Sequence, residues 1–552
     1  MAGTAAAPVD DYPAPMLKDW RVNALWLVFA TVAVVSGTLA LRRPEFDRLA
    51  DLHVYVGAVR QAQSGRPLYE YAADNGDPFT YPPFAALVLW PLGWMSESVT
   101  RVLWLVAIVA AVAVIAVALA ARWEHAPRRQ LFAGVLACVL IASAPVQSDL
   151  RFGQISIFVV VLTLLDALEI TPARWRGVLV GLAAAIKLTP LLFVVFFLLA
   201  GRRRDALRAA AAFAGSAVVA AVLLPADSLQ FWTASLFSTA RVGDMASLGN
   251  QSLHAVLGRA GIGAEHRPVV WLLLVAGICA LALWRARNLA REGRRAHAAV
   301  LVGCATIAAS PVSWTHHQVW TVLAGMLLVA SAGSARRAAG AFLLVVMTLS
   351  LANLTIESAT TPGLQFVFSN VRGISVAVIC CVGLGGALNA RQAARDNDVV
   401  LGARSVWARG LTSAAAGIAV FALLPLPPSV DPGLRLNDLD QTRQVFSQMH
   451  VCWGDGAGEC SRDGSQGGRL LLNYSVGSDG QRSSVEGWVG PRVARLSMRT
   501  APGAPLHAVP IWDLGDGERV FSFTGTNLHY AQFLAYDADD RLIENPPRDL
   551  WK

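Results

Sequence analysis

Apolar runs of about 20 residues recur from Asn23 to Leu426, and each is long enough to cross a hydrocarbon core of about 30 Å as a helix. A chain with so many such runs in succession has one reading, a polytopic α-helical membrane protein. Composition agrees, because only 15% of the residues are charged, against roughly 25% in soluble domains. The formal charge of +8 is uneven: residues 431–552 hold 12 Lys+Arg and 16 Asp+Glu, so the basic excess lies in the membrane part. There it reports orientation and not nucleic-acid binding. Residues 1–22 carry Asp10, Asp11 and Asp19 beside Lys18 and Arg21, too acidic for the start of a signal peptide. They read as a cytoplasmic segment, with the first helix kept as an anchor.

Spans are expected near 23–41, 98–121, 131–147, 155–170, 206–224, 268–286, 297–312, 317–333, 338–356, 373–390 and 407–425, eleven crossings in all within a membrane domain of residues 23–426. A further apolar stretch, 177–200, is interrupted at Lys187-Leu188-Thr189-Pro190 and has Arg174 and Arg176 before it and Arg202, Arg203 and Arg204 after it. Both its ends read as cytoplasmic, which makes it a broken, re-entrant pair. The loops 122–130, 171–176, 201–208, 285–295, 335–337 and 391–404 hold 19 Arg against 10 in the alternate loops. The first set is therefore cytoplasmic, and eleven crossings from an inside N-terminus put the tail outside.

That tail follows the linker Leu424-Pro425-Leu426-Pro427-Pro428, whose prolines end the helix. Its β-prone runs Arg469–Tyr474, Val493–Met498, Arg519–Phe523 and Gln532–Tyr536, divided by Gly and Asp turns, predict an extracytoplasmic β-sandwich-like domain over 431–552. Cys452 and Cys460 enclose a Gly-rich loop and would pair in an oxidising compartment. The cysteines at 138, 279, 304, 380 and 381 lie in apolar spans and read as packing residues.

Unusual polar residues collect at one side of this topology. Asp51, Tyr55, Tyr81, Asp149, Arg151, Gln154, Asn250, Gln251, His316 and His317 all fall at outer span ends or in outer loops, so one extracytoplasmic site is expected. The first outer loop, 42–97, is far longer than a connection needs. Within it Asp51 and Tyr55, four apart, share a face of an interfacial amphipathic helix that stops near Gly65. Asp51 reads either as a cap of that helix or as a catalytic carboxylate, with Glu45 and Asp47 as rivals. Phe79-Thr80-Tyr81-Pro82-Pro83-Phe84 reads as an aromatic belt or as a platform for a sugar ring. Adjacent histidines point about 100° apart on a helix, poor geometry for a metal, so His316 and His317 are read as hydrogen-bonding an anionic headgroup. Lys187, the lysine inside the apolar region, sits at a helix break. It suits a phosphate site, or a side chain that snorkels to an interface. The chain lacks a Walker loop, a Rossmann Gly-rich fingerprint, paired CxxC and HExxH. ATP-driven transport, soluble nucleotide-sugar chemistry and zincin chemistry thus lose support. No cofactor or metal is called for.

The motifs Asp51-Leu-His-Val-Tyr55, Gly65-Arg-Pro-Leu-Tyr69, Phe79-Thr-Tyr-Pro-Pro-Phe84, Gly153-Gln154-Ile-Ser, Ala185-Ile-Lys187-Leu-Thr-Pro190, Asn250-Gln-Ser-Leu253 and Ser310-Pro-Val-Ser-Trp-Thr-His-His317 together resemble glycosyltransferase family 87. These are C-type membrane glycosyltransferases of actinobacteria that include polyprenol-phosphate-mannose-dependent α-1,2-mannosyltransferases and an arabinofuranosyltransferase. The resemblance implies a polyprenyl-phosphate sugar donor, a glycolipid or glycan acceptor, and inversion at C1 with Asp51 as general base. It implies a phosphate held among His316, His317, Lys187 and Arg151, and substrate contacts from Tyr55, Tyr81, Gln154, Asn250 and Gln251. It does not cover the β tail, where Trp488, Trp512 and Tyr530 read as core residues or as sugar-stacking rings. A flippase of lipid-linked sugars is the rival class; it would want midplane charges and an internal repeat.

Overall fold

The computed structural model describes residues 20–43, 48–73, 77–123, 128–238, 247–349, 362–384, 435–436, 471–476, 483–489, 493–499, 506–513, 519–525 and 532–543. The 407–425 run, Glu45, Asp47, Cys452, Cys460 and Tyr530 lie outside them. The helices are α1 (Trp20–Leu41), α2 (Ala50–Gln63), α3 (Pro83–Leu89), α4 (Glu97–Ala121), α5 (Arg129–Ala142), α6 (Ala144–Phe152), α7 (Ser156–Ala167), α8 (Val178–Ile186), α9 (Leu191–Leu199), α10 (Arg203–Leu223), α11 (Pro225–Thr233), α12 (Leu253–Arg259), α13 (Arg267–Arg291), α14 (Arg295–Ala309), α15 (Val319–Val329), α16 (Ser334–Thr348) and α17 (Pro362–Val382). Among the described residues α1, α4, α10, α13 and α17 are long and apolar enough to cross a membrane alone, and the pair α5–α6 would add a sixth. The other apolar helices are shorter.

Burial separates core helices from lipid-facing ones. Every residue of α14 from Ala296 to Ala308 is buried, as expected of a helix that is apolar all round. By contrast α10 leaves Leu207, Val218, Val222 and Leu223 exposed, a face suited to acyl chains and not to water.

Two spans differ from expectation. The run 131–147 is not straight: α5 and α6 meet at 59°. Pro145 removes an N–H from the ladder, and the Ile141 carbonyl it would have bonded accepts Gln147 Nε2 at 2.5 Å instead. The helix expected at 373–390 starts at Pro362. Asn370 and Arg372 interrupt the apolar pattern because they point inward, Asn370 to Arg259 and Arg372 to Thr315.

The broken segment turns back on itself. At one end, the Gly177 and Val180 amides at the start of α8 donate to Asp166, while Arg202, just after α9, donates to the Asp166 and Ala167 carbonyls. Both ends of 177–200 thus meet the end of α7, and Lys187 lies at the opposite tip beside Ser156, the first residue of α7. The tip is held in extended geometry, with Lys187 at φ −150 and ψ 121. The basic end is clasped by Glu169, which pairs with Arg176 and Arg295. Gly177 is required there: its φ is +101, and a Cβ would stand 2.1 Å from the Asp205 carbonyl oxygen. Gly177→Ala is expected to split α8 from α10 and to lower the thermal midpoint of the detergent-purified protein by at least ~4 °C; an unchanged midpoint would contradict this packing.

In the tail, the strands are β1 (Arg435–Leu436), β2 (Leu471–Val476), β3 (Ser483–Trp488), β4 (Arg495–Arg499), β5 (His507–Val509), β6 (Trp512–Asp513), β7 (Arg519–Gly525), β8 (Gln532–Tyr536) and β9 (Leu542–Ile543). They form two antiparallel sheets, ordered β1-β7-β3-β2, with β6 also on β7, and β5-β4-β8-β9. Strand β3 has no apolar run to announce it, yet it is central, with Val485 opposite both Tyr474 and Phe523.

Candidate functional site

The site starts from a left-handed turn. Gly153, at φ +68, ends α6 and packs so closely on Leu49 and Leu52 that a Cβ would stand 2.8 Å from Leu52 Cβ. Its carbonyl accepts Trp104 Nε1 at 2.7 Å, and Leu49 N donates to Arg151 O at 3.2 Å. These contacts pin the start of α2 to the end of α6. Asp51, in the first turn of α2, and Gln154, next after Gly153, are thereby brought together.

Gln154 Nε2 donates to Asp51 Oδ2 at 2.6 Å. The amide oxygen is within 3.1 Å of the hydroxyls of both Tyr55 and Tyr81, which stand 3.1 Å from each other. Their rings meet edge to face at 5.3 Å, and Tyr69 OH donates to the Tyr81 carbonyl at 2.7 Å. The amide can present its N–H to Asp51 because the two phenols occupy its oxygen. Asp51 is only half-buried, so one side remains open. Burial among these groups, helped by the charge of Asp77, raises its carboxyl to about 7, against the Gln154 hydrogen bond and Lys187, which lower it. Burial also pushes the Tyr55 and Tyr81 hydroxyls up, and both remain neutral donors. A half-buried carboxylate poised near neutrality is suited to accept a proton.

Across the Tyr81 ring lies the cationic half. Lys187 Nζ is 5.4 Å from the centre of that ring, donates to Ser156 Oγ at 3.0 Å and lies 2.7 Å from His317 Nε2. The His316 and His317 rings meet edge to face at 4.4 Å. His316 is buried, with Nδ1 at 3.5 Å from Ser148 Oγ. Arg151 is half-buried with its guanidinium over the Phe152 ring at 4.7 Å. Tyr81 thus touches a carboxylate through Gln154 and a cation at its ring, so a proton acceptor and a positive charge stand in one site.

Asn250 and Gln251 hold the loop around them. Asn250 Oδ1 accepts from the amides of Ser252 and Ser313. Gln251 donates from Nε2 to the carbonyls of Leu248 and Ser369 and accepts from Gly373 N. Both are buried and knit the 247–252 loop to α17 and to the loop carrying the histidines. Arg259, which donates to the Asn250 carbonyl at 2.9 Å and to Asn370 Oδ1 at 2.7 Å, and Arg372 complete this frame. The signal for them was available: polar residues inside an apolar run are expensive unless used. Ser156 was within a quoted motif, but nothing in sequence tied it to Lys187.

Gln154→Leu tests the link between the halves. Loss of a hydrogen bond to a charged group should reduce turnover by about 10- to 100-fold at neutral pH. Because that bond lowers the Asp51 carboxyl, the acidic limb of the rate profile should move to higher pH. A rate profile that keeps its wild-type limb would show that Gln154 does not tune Asp51.

Comparison with known proteins places these features in context. The sequence signature of glycosyltransferase family 87 matches residues 79–311. The polyprenol-phosphate-mannose-dependent alpha-(1-2)-phosphatidylinositol mannoside mannosyltransferase of Mycobacterium tuberculosis is 34% identical over 307 residues, covering 52% of this chain and 71% of the relative. The polyprenol-phosphate-mannose-dependent alpha-(1-2)-phosphatidylinositol pentamannoside mannosyltransferase of Mycolicibacterium smegmatis is 33% identical over 328 residues, covering 58% of this chain and 78% of the relative. No solved structure matches the chain.

Proposed function

Because the chain belongs to glycosyltransferase family 87, we propose that it transfers mannose from a polyprenyl-phosphate donor to a glycolipid or lipoglycan acceptor at the outer face of the plasma membrane. The observation that carries the reading is that Tyr81 touches both halves of the site, reaching Asp51 through Gln154 at its hydroxyl and Lys187 at its ring. Asp51 takes the proton of an acceptor hydroxyl as that oxygen attacks C1 of the sugar. The bond from C1 to the phosphate oxygen breaks on the opposite face, and its electron pair stays on the phosphate. Lys187, with His317 beside it, meets the growing charge there. A β-linked donor then gives an α product. Tyr55, Tyr81 and Gln154 border the sugar, and membrane lipids surround the lipid-facing helices.

Purified protein incubated with polyprenyl-phosphate mannose or polyprenyl-phosphate arabinofuranose and a panel of glycolipids tests this directly. A hexose added to a glycolipid supports the reading, a pentose moves it to the arabinofuranosyl alternative, and carrier movement across a vesicle without product overturns it in favour of a flippase.

For the remainder of the chain we place residues 1–22 in the cytoplasm and residues 431–552 outside, as a β-sandwich-like domain with Cys452 bonded to Cys460. Protease added to intact cells should clip near Pro425–Pro428; a protected tail with two free thiols would reverse the orientation.

A further inference from the structure

Where both ends of the broken segment meet the end of α7, the carboxylates are already taken. Asp166 accepts the Gly177 and Val180 amides. Glu169 holds Arg176 and Arg295, and Asp205 lies 2.8 Å from Arg202 and 3.2 Å from Arg208. Arg174, Arg203 and Arg204 are left over. Each is exposed, and none forms an ion pair or a side-chain hydrogen bond among the described residues.

The three belong to one surface. Gly177 packs against the Asp205 carbonyl, and Arg208 Nη1 donates to the Arg176 carbonyl at 3.4 Å. The loop carrying Arg174 therefore lies alongside the first turns of α10, where Arg203 and Arg204 stand. Trp175, between two arginines of that loop, is exposed as well, and an indole is favoured at the level of lipid headgroups. Further along α10 the same face turns apolar: Leu207, Ala211, Ala214, Val218 and Val222 follow Arg204 at helical spacing, and all are exposed. From Leu207 to Val222 this stripe runs about 22 Å, more than one leaflet's half of a hydrocarbon core of about 30 Å. Uncompensated cations at the head of such a stripe match a ligand that is anionic at one end and apolar along its length.

We propose that Arg174, Arg203 and Arg204, with Trp175 beside them, bind the phosphate of an anionic glycerophospholipid whose acyl chains lie along the exposed face of α10. A guanidinium group takes a phosphate through two parallel N–H donors. The lipid comes from the leaflet on the side away from Lys187, the inner one in the orientation above. Its occupancy ties the 174–177 loop to α10, at the base of the segment whose tip carries Lys187. The inference requires that the chain sits in a bilayer and does not depend on which sugar is moved.

Full-length protein stripped of lipid in a neutral detergent, then titrated with palmitoyl-oleoyl phosphatidylglycerol or the matching phosphatidylcholine, tests this by thermal midpoint and native mass spectrometry. In the wild type, phosphatidylglycerol should raise the midpoint by about 4 °C or more, and one molecule should stay bound when the detergent is removed in the gas phase. Phosphatidylcholine at the same concentration should do neither. The variant Arg174→Gln/Arg203→Gln/Arg204→Gln should need at least about 10-fold more phosphatidylglycerol for the same rise. A control takes equal charge from other exposed arginines, Arg128→Gln/Arg291→Gln/Arg337→Gln, and should titrate as the wild type does. Equal weakening in both triple variants would reduce the effect to general surface charge and overturn the site. An equal response of the wild type to the two lipids would overturn it without any variant, should the first triple variant fail to fold. Neither readout involves sugar transfer, so this site and the proposed reaction fail separately.

Discussion

Asp51→Asn should leave a folded, membrane-inserted protein whose transfer rate is reduced by about 10²- to 10⁴-fold, the range that a positioned general base contributes. The substitution preserves shape and replaces the proton-accepting oxygen with an amide. Because Gln154 Nε2 donates to Asp51 Oδ2, the other oxygen is the one that faces an acceptor, and Asn can still accept from Gln154 through its carbonyl. Binding of either substrate should therefore stay within a few fold, and the loss should appear in kcat and in both kcat/KM values alike. The pH profile supplies a second arm. The wild-type carboxyl stands at about 7, and only its ionised form accepts a proton, so the rate should climb as pH rises through 7 and level off above it. The residual rate of the Asn variant should show no such limb. Turnover retained near the wild-type level, with the limb intact, would move the base to another carboxylate and dissolve the assigned geometry.

How far the sequence foretold this arrangement depended on what kind of physics set each part. Helices that face lipid are written in long apolar runs, so α1, α4, α10 and α13 fall close to where hydropathy put them. The break at Lys187 was also legible, because Lys and Pro inside an apolar stretch demand a reason. Polar residues were harder, since the same letters serve two purposes. Asn250 and Gln251 read as substrate contacts in a string of residues; that Asn250 Oδ1 also accepts from two backbone amides is something only the folded chain reveals. Asn370 and Arg372 hid the first half of α17 for the same reason. Strand β3 escaped notice because its stability comes from pairing on both edges and not from its own apolar pattern. The Asp51–Gln154 contact spans 103 residues. No spacing rule gives such a pair, although a shared outer face had placed both in one region.

Lys187→Met should damage the reaction from the opposite side. Methionine keeps length and apolar bulk, so the tip between α8 and α9 can remain packed, but the site loses its donor to Ser156 and its positive charge beside His317. Removing a single preorganised donor at a position of developing negative charge costs about 10²- to 10³-fold in kcat. The pattern of loss separates this from a base defect. Polyprenyl phosphate, the leaving group, should inhibit the variant far more weakly than the wild type, while acceptor KM stays constant and the acidic limb set by Asp51 remains. That limb should even shift slightly upward, because the Lys187 charge is one of the influences that lower the Asp51 carboxyl. Arginine is not expected to rescue: its planar fork is wider than an ammonium and has no room where Nζ already lies 3.0 Å from Ser156 Oγ and 2.7 Å from His317 Nε2. Unchanged inhibition by polyprenyl phosphate in Lys187→Met would remove the phosphate from the neighbourhood of Lys187, and with it the division of labour by which Asp51 takes a proton while Lys187 meets a charge.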